Sequence, residues 1–137
     1  MADIAIIGAG MAGLSALQVL AGAGHQVTLF DKSRGSGGRM ATKKVGDASW
    51  DMGAQFIRSH DAAFSSQLQH WEQLGWVARW EVQPFEVLSG KVRPSTDDTT
   101  RYVGTPRMTG LCRRLLESAA GFIDSPRIIS ASCNHQQ

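Results

Sequence analysis

The sequence predicts an α/β fold with a parallel sheet, and three observations carry that expectation: an uninterrupted apolar run at the start, a glycine-rich turn leading into helical periodicity, and a second β-branched run ending on an acid. Ile4 to Ile7 has no polar interruption, which is how a strand covered on both faces of a parallel sheet reads. Leu14, Leu17, Leu20 and Ala21 then recur at helical spacing, and Gly22 and Gly24 supply a stop, so a helix is predicted from Met11 to about Ala23. Gln26 to Phe30 is the second strand. Together these make a βαβ unit whose crossover should be right-handed.

Further along, Ser33 to Gly38 is rich in glycine and serine and predicts a loop, which Arg39 to Lys44 continues with basic character. Phe64, Leu68, Trp71 and Leu74 fall on one face of an amphipathic helix between Asp61 and Gly75, with Asp61 as its cap. Alternation between Val77 and Leu88 predicts strands of an inserted antiparallel region. Thr105-Pro106 has the pattern of a cap followed by proline in the first helical position. Met108, Leu111, Cys112 and Leu115 supply the buried stripe of that last helix, and Gly121 its end. The polar tail beyond Ile128-Ile129 carries no pattern of useful length, and no internal repeat is evident. The expected organisation is a βαβ nucleotide-binding core over 1–75, the start of inserted strands over 76–103, and a returning helix with its tail over 104–137.

Composition narrows the function classes. The chain has 137 residues, 42% of them hydrophobic, and a net charge of +2 from 14 basic and 12 acidic residues. So small and dispersed an excess gives no reason to expect nucleic acid or an anionic membrane as partner. Cys112 and Cys133 stand far apart, outside any disulfide framework or zinc-ligand spacing, and a reducing cytoplasm is the default expectation. The amino terminus lacks a basic leader, and no apolar stretch reaches the length of a membrane span.

Gly8-Ala9-Gly10-Met11-Ala12-Gly13 is a GxGxxG element placed after a strand and at the mouth of a helix. In that context Gly8 permits the tight turn, Gly10 lets a pyrophosphate approach the backbone, and Gly13 lets helix and strand pack closely. The diphosphate would rest on free amides at the positive end of the helix dipole. Asp31 ends the second strand, where its carboxylate can accept hydrogen bonds from both ribose hydroxyls of an adenosine. The plainer alternative is a glycine turn beside a solvated strand end. Strand, helix, second strand and acid all in register favour dinucleotide binding and hence a Rossmann-type domain.

The fingerprint alone does not separate FAD from NAD, but the loop after Asp31 does. Asp31 to Thr42 (DKSRGSGGRMAT) resembles the acid followed by R-x-G-G-R-x-x-[ST] of flavoproteins related to monoamine oxidases. The glycine pair lets backbone amides meet the diphosphate, and Arg39 can offset its charge with a directional fork of donors. Within that superfamily the resemblance is to the renalase-like enzymes: Gly37 to Thr42 is similar to their GGRM-x-T form, and Asp51 to Ile57 (DMGAQFI) to their D-x-G-A-Q-Y-[FI] segment. It is firm over Met1 to about Asp61, weaker through the last helix, and not evident in the final fifteen residues.

The resemblance implies an FAD/NAD(P)-binding domain with FAD as cofactor. Gly8, Ala9, Gly10, Met11, Ala12 and Gly13 would hold the diphosphate, Asp31 the ribose, and Arg39 with Met40 the flavin linker. Gln55 and Phe56 would meet the ring edge, and Lys32, Arg34, Gly38 and Ala54 complete the cofactor-binding set. Phe56 stands where those enzymes carry tyrosine, so any bond from that hydroxyl is absent. The implied reaction is oxidation of a dihydronicotinamide dinucleotide isomer with oxygen as acceptor; oxidation of an amine or another small donor is the alternative in the same class. Family members run to roughly twice this length or more, the scale of a two-part protein. The chain therefore also reads as a C-terminally truncated member, incomplete relative to the family. As a third alternative it is an FAD-binding fragment without turnover, prone to self-associate through exposed apolar surface.

Other candidates carry less. His25, His60, His70 and His135 have no metal-ligand spacing, and Ser15 and Ser65 no nucleophile context. Trp50, Trp71, Trp76 and Trp80 are better explained as core residues. No metal site and no catalytic residue is singled out.

Overall fold

The computed structural model describes residues 1–119 and 128–130. The chain divides into two compact units, Met1–Gln55 with Pro106–Gln137, and Phe56–Thr105. The helix after Asp61, expected within the βαβ core segment 1–75, groups with the inserted strands, and the last helix groups with the βαβ core.

In the first unit, β1 (Asp3–Ile7) and β2 (Gln26–Asp31) pair in parallel with Ile4 opposite Val27, and α1 (Met11–Gly22) forms the crossover. A third parallel strand, β9 (Ile128–Ser130), sets Ile129 opposite Phe30 and gives the order β1-β2-β9. Sequence alone left this strand unassigned, because three residues are too short for a period to show. α1 stops at a glycine turn in which the Gly24 amide bonds the Ala21 carbonyl at 3.0 Å with Gly24 at φ +82°.

Leu14, Leu17 and Ala21 of α1 are buried, as are Val27 and Leu29 of β2 and Met108, Leu111, Cys112, Leu115 and Ala119 of α3 (Met108–Ala119). Each fully buried leucine of this kind contributes about 1.5–3 kcal/mol as an upper estimate. The Gln18 side-chain amide ties α1 to α3 by donating to the Leu115 carbonyl at 2.6 Å.

Three expectations change here. β1 is not covered on both faces: it lies at the edge of the described sheet, and Ile7 is 90% exposed. The basic stretch Arg39 to Lys44 is not loop throughout. A single 3-10 turn at Gly38–Met40 leads into β3 (Thr42–Val45), which pairs antiparallel with β4 (Ala48–Asp51) across a two-residue Gly46-Asp47 turn. That glycine-acid pair is a hairpin signal, with Gly46 at φ +58°. Finally, Thr105 does not cap α3. Its amide bonds the Trp76 carbonyl at 3.0 Å and its hydroxyl the Gly75 carbonyl, and the helix begins at Met108, two residues after Pro106.

In the second unit, α2 (Ala62–Gln73) is capped as expected, the Asp61 carboxylate accepting the Phe64 amide at 2.7 Å. Leu68 and Trp71 are buried, whereas Phe64 and Leu74 remain partly exposed. β5 (Val77–Arg79) pairs antiparallel with β8 (Tyr102–Gly104), and β6 (Phe85–Leu88) with β7 (Lys91–Pro94). The expected helix end at Gly121, and Cys133 and His135, lie outside the described residues. Among the described residues no helix is long and apolar enough to cross a membrane, and no group of three His, Cys, Asp or Glu could hold a metal.

Candidate dinucleotide site

The turn after β1 is built by three glycines with three different surroundings. Gly8 sits at φ +104°, a conformation that a side chain disfavours, and its amide continues the ladder by bonding the Phe30 carbonyl at 2.7 Å. At Gly13 a Cβ would stand 1.9 Å from the Gly8 carbonyl oxygen, so only glycine lets α1 seat against the turn. At Gly10 a Cβ would meet no atom within 4 Å. The space beside it is open to a ligand. Gly10 is also the N-cap of α1 without a side-chain cap bond, and the first helical turn holds no acid, so the positive helix mouth is left for an incoming anion.

Asp31 reaches this turn directly. Its Oδ2 accepts the Ala9 amide at 2.6 Å and its Oδ1 the Ser33 amide at 2.7 Å. Those two bonds, Ala9 first, hold the carboxyl below the usual aspartate range, against a smaller opposing effect of burial. A carboxylate has about four acceptor positions, so two remain for hydroxyl donors.

The glycine pair closes on the same turn. The Gly37 amide donates to the Ala9 carbonyl at 2.9 Å, and a Cβ on Gly38 would lie 3.4 Å from the Gly10 Cα. The Arg39 carbonyl in turn accepts the Ala54 amide at 2.9 Å, and Gly53 approaches so closely that a Cβ there would stand 2.1 Å from that oxygen. Thus the turn, the acid, the glycine-arginine loop and the segment through Ala54, separated in sequence, meet in one unit. Lys32, Arg34 and Arg39 are exposed there and make no ion pair among the described residues. Met40 turns inward instead, its sulfur 3.9 Å from the Cys112 thiol. Gln55 bonds the Asp51 carbonyl at 3.4 Å, a long contact.

Phe56 belongs to the second unit. Its ring lies 6.0 Å from that of Trp80, and the Arg101 guanidinium carbon sits 5.4 Å from its centroid. Arg101 is held by Asp97, which also pairs with Arg58, both at 2.7 Å.

Sequence reasoning missed the support beneath the loop. The Thr42 hydroxyl donates to Asp51 Oδ1, which also accepts the Met108 amide at 3.3 Å, while Thr42 Oγ1 accepts the Thr109 amide at 3.3 Å. Thr42 and Asp51 thereby cap α3. The available signal was the hydroxyl residue that closes the R-x-G-G-R-x-x-[ST] element.

Residues 6–71 match the NAD(P)-binding Rossmann-like domain. The first unit has a Rossmann-like α/β fold. An L-amino acid oxidase of Bothriechis schlegelii is 39% identical over 79 residues, 51% of this chain and 16% of that protein. An L-amino-acid oxidase of Echis ocellatus is 52% identical over 48 residues, 35% of this chain and 10% of that protein. Among solved structures, wild-type putrescine oxidase bound to putrescine superposes with a TM-score of 0.51 at 25% identity, covering 72% of this chain and 22% of that one. Reduced UDP-galactopyranose mutase superposes with a TM-score of 0.53 at 25% identity, covering 69% and 20%. The chain thus spans about a sixth of the length of the first of these oxidases. These relatives are FAD-dependent flavoproteins, in agreement with the cofactor expected from the loop after Asp31.

Proposed function

We propose that the first unit is the FAD-binding part of a flavin-dependent oxidoreductase of the amine or amino-acid oxidase type, acting on a small molecule with oxygen as acceptor. The observation that carries this reading is the convergence on Ala9 of the Asp31 carboxylate at its amide and the Gly37 amide at its carbonyl. A Rossmann turn alone accounts for the first contact; the second adds the loop that resembles flavoproteins.

The residues present fit the cofactor. Open space beside Gly10 and the uncapped mouth of α1 suit a diphosphate, and the spare lone pairs of Asp31 suit the two hydroxyls of a ribose. Arg39 is exposed on a loop whose backbone is pinned at its carbonyl by Ala54, so its guanidinium is free to offset phosphate charge. When bound, FAD supplies the redox chemistry, taking a hydride equivalent from the substrate and passing electrons to oxygen. The chain's own part is to bind and orient it.

A second reading, a dihydronicotinamide dinucleotide isomer as the hydride donor, is favoured by the GGRM-x-T form of Gly37 to Thr42 and the DMGAQ run of Asp51 to Gln55. The buried free thiol of Cys112 fits a cytoplasmic setting. Exposed Phe85, Val87 and Val92 on β6 and β7 support a tendency to self-associate.

The test is the visible spectrum of the purified chain. Flavin bands that survive gel filtration support the reading, and a protein that stays colourless with excess FAD overturns it. Anaerobic bleaching by amines or amino acids, set against bleaching by dihydronicotinamide isomers, chooses between the two substrate classes.

A further inference from the structure

A cavity of about 500 Å³ lies between the loop that begins at Ser33 and the outward face of α3. None of its lining residues belongs to the Gly8–Gly13 turn. The two sites stand on different sides of Gly37. The Gly37 amide faces the Ala9 carbonyl, whereas a Cβ on Gly37 would point at the Thr109 hydroxyl, 2.8 Å away. Thr109, Arg113 and Leu116 follow one another at helical spacing, and all three line this cavity. They form a second face of α3 apart from the buried Met108, Leu111, Cys112 and Leu115 stripe.

The charge of the cavity is one-sided. Its lining contains Arg34 and Arg113 and no acid. Neither arginine makes a hydrogen bond or ion pair among the described residues, although Arg114, next in sequence, pairs with Glu117 at 3.4 Å. Two arginines and no acid in the lining of one concavity raise the local potential for an anion. Each also offers a planar fork of donors that matches a phosphate better than a point charge does. Gly35 adds no side chain to the loop side of the cavity, and Ala41 and Leu116 give it an apolar wall. The volume exceeds what a bare phosphate fills, so an ester body has room beside it.

We propose that this cavity is an anion site for a phosphate dianion, free or as a monoester, held between Arg34 and Arg113. It contains no residue of the Gly8–Gly13 turn, shares Arg34 and Gly38 with the cofactor-binding set that the resemblance implies, and stands whether or not the chain holds FAD. Arg113 is then a ligand-binding residue that the nucleotide fingerprint does not include.

The test is an amide chemical-shift titration of the full chain with inorganic phosphate and, separately, with glycerol 3-phosphate. Saturable shifts centred on Ser33 to Gly38 and on Thr109 to Leu116 are expected, weakening as salt is raised. Tighter binding of glycerol 3-phosphate assigns the site to monoesters, and equal binding assigns it to free phosphate. Arg113→Gln, an exposed change whose fold is checked by its melting curve, should weaken either ligand roughly tenfold or more. Arg34→Gln should do the same. Absence of saturable shifts, an Arg113→Gln chain that binds as well as the parent, or shifts centred on Gly8 to Gly13 would each overturn the proposal.

Discussion

Asp31 Oδ2 accepts the Ala9 amide at 2.6 Å, so the acid at the end of β2 braces the glycine turn at the end of β1 before any ligand arrives. This bond joins two elements that are already neighbours in the sheet, and it fixes the direction of the carboxylate. A pre-oriented acceptor costs a ligand less ordering entropy than a free one.

Asp31→Asn keeps the shape and removes the charge. FAD binding, followed by quenching of flavin fluorescence, should weaken roughly tenfold or more, because hydrogen bonds to a charged acceptor are the stronger kind. Stability should change with pH in a defined direction. The Ala9 and Ser33 amides lower the folded pKa of Asp31, so its contribution is fully present above the unfolded value near about 3.9 and is lost as pH falls through the folded value. The melting temperatures of parent and variant should therefore differ by a constant amount near neutrality and converge only in acid. A gap that stays constant through pH 3 would contradict the role of these bonds.

Gly10 and Gly13 should respond oppositely to alanine. At Gly13 the new methyl would stand 1.9 Å from the Gly8 carbonyl oxygen, so α1 must move off the turn, at a cost of about 1–3 kcal/mol or more. At Gly10 the methyl meets no atom within 4 Å, and loss of a glycine cap costs on the order of 1 kcal/mol or less. Yet Gly10→Ala fills the space into which a pyrophosphate would come, so it should lose FAD while melting close to the parent. Chemical denaturation and flavin titration on the same two variants separate the effects.

The site was legible in sequence to the extent that each block carries its own local signal. Gly8 to Gly13 needs glycine for backbone reasons, and α1 and β2 announce themselves by apolar spacing that a few residues suffice to show. What escaped depended on partners distant in sequence. Thr42 bonds the amide of Thr109, 67 residues away, and no local pattern at either position encodes that meeting. β3 was hidden for a different reason: Lys43, Lys44 and Val45 are all exposed, so the strand has no buried alternation to display. Thr105-Pro106 misled because its residue types suit a cap, while the carboxylate that serves α3 comes from Asp51.

Cys112 should be chemically silent in the folded chain. Burial pushes its thiol up to about 11, and it packs against Met40 with no measurable exposure. In a Cys133→Ser background, a disulfide reagent at pH 8 should react only as fast as the protein opens, and denaturant should release the thiol in proportion to unfolding. Rapid labelling under native conditions would show that α3 does not stay packed on the loop.

The cap shared by Thr42 and Asp51 predicts a non-additive pair. Asp51→Ala removes the acceptor of the Met108 amide and strands the Thr42 hydroxyl; Thr42→Val removes the acceptor of the Thr109 amide and one donor to Asp51. Each single change should cost about 1–2 kcal/mol, the usual loss for a helix cap with its bonded partner. Because the Thr42–Asp51 bond is lost in either variant, the double change should cost less than the sum, with a coupling of roughly 0.5 kcal/mol or more. Urea unfolding of the four chains measures it directly. If the two losses simply add, the hydroxyl and the carboxylate act on α3 independently, and the Gly37-Gly38 loop is not tied to that helix through Thr42.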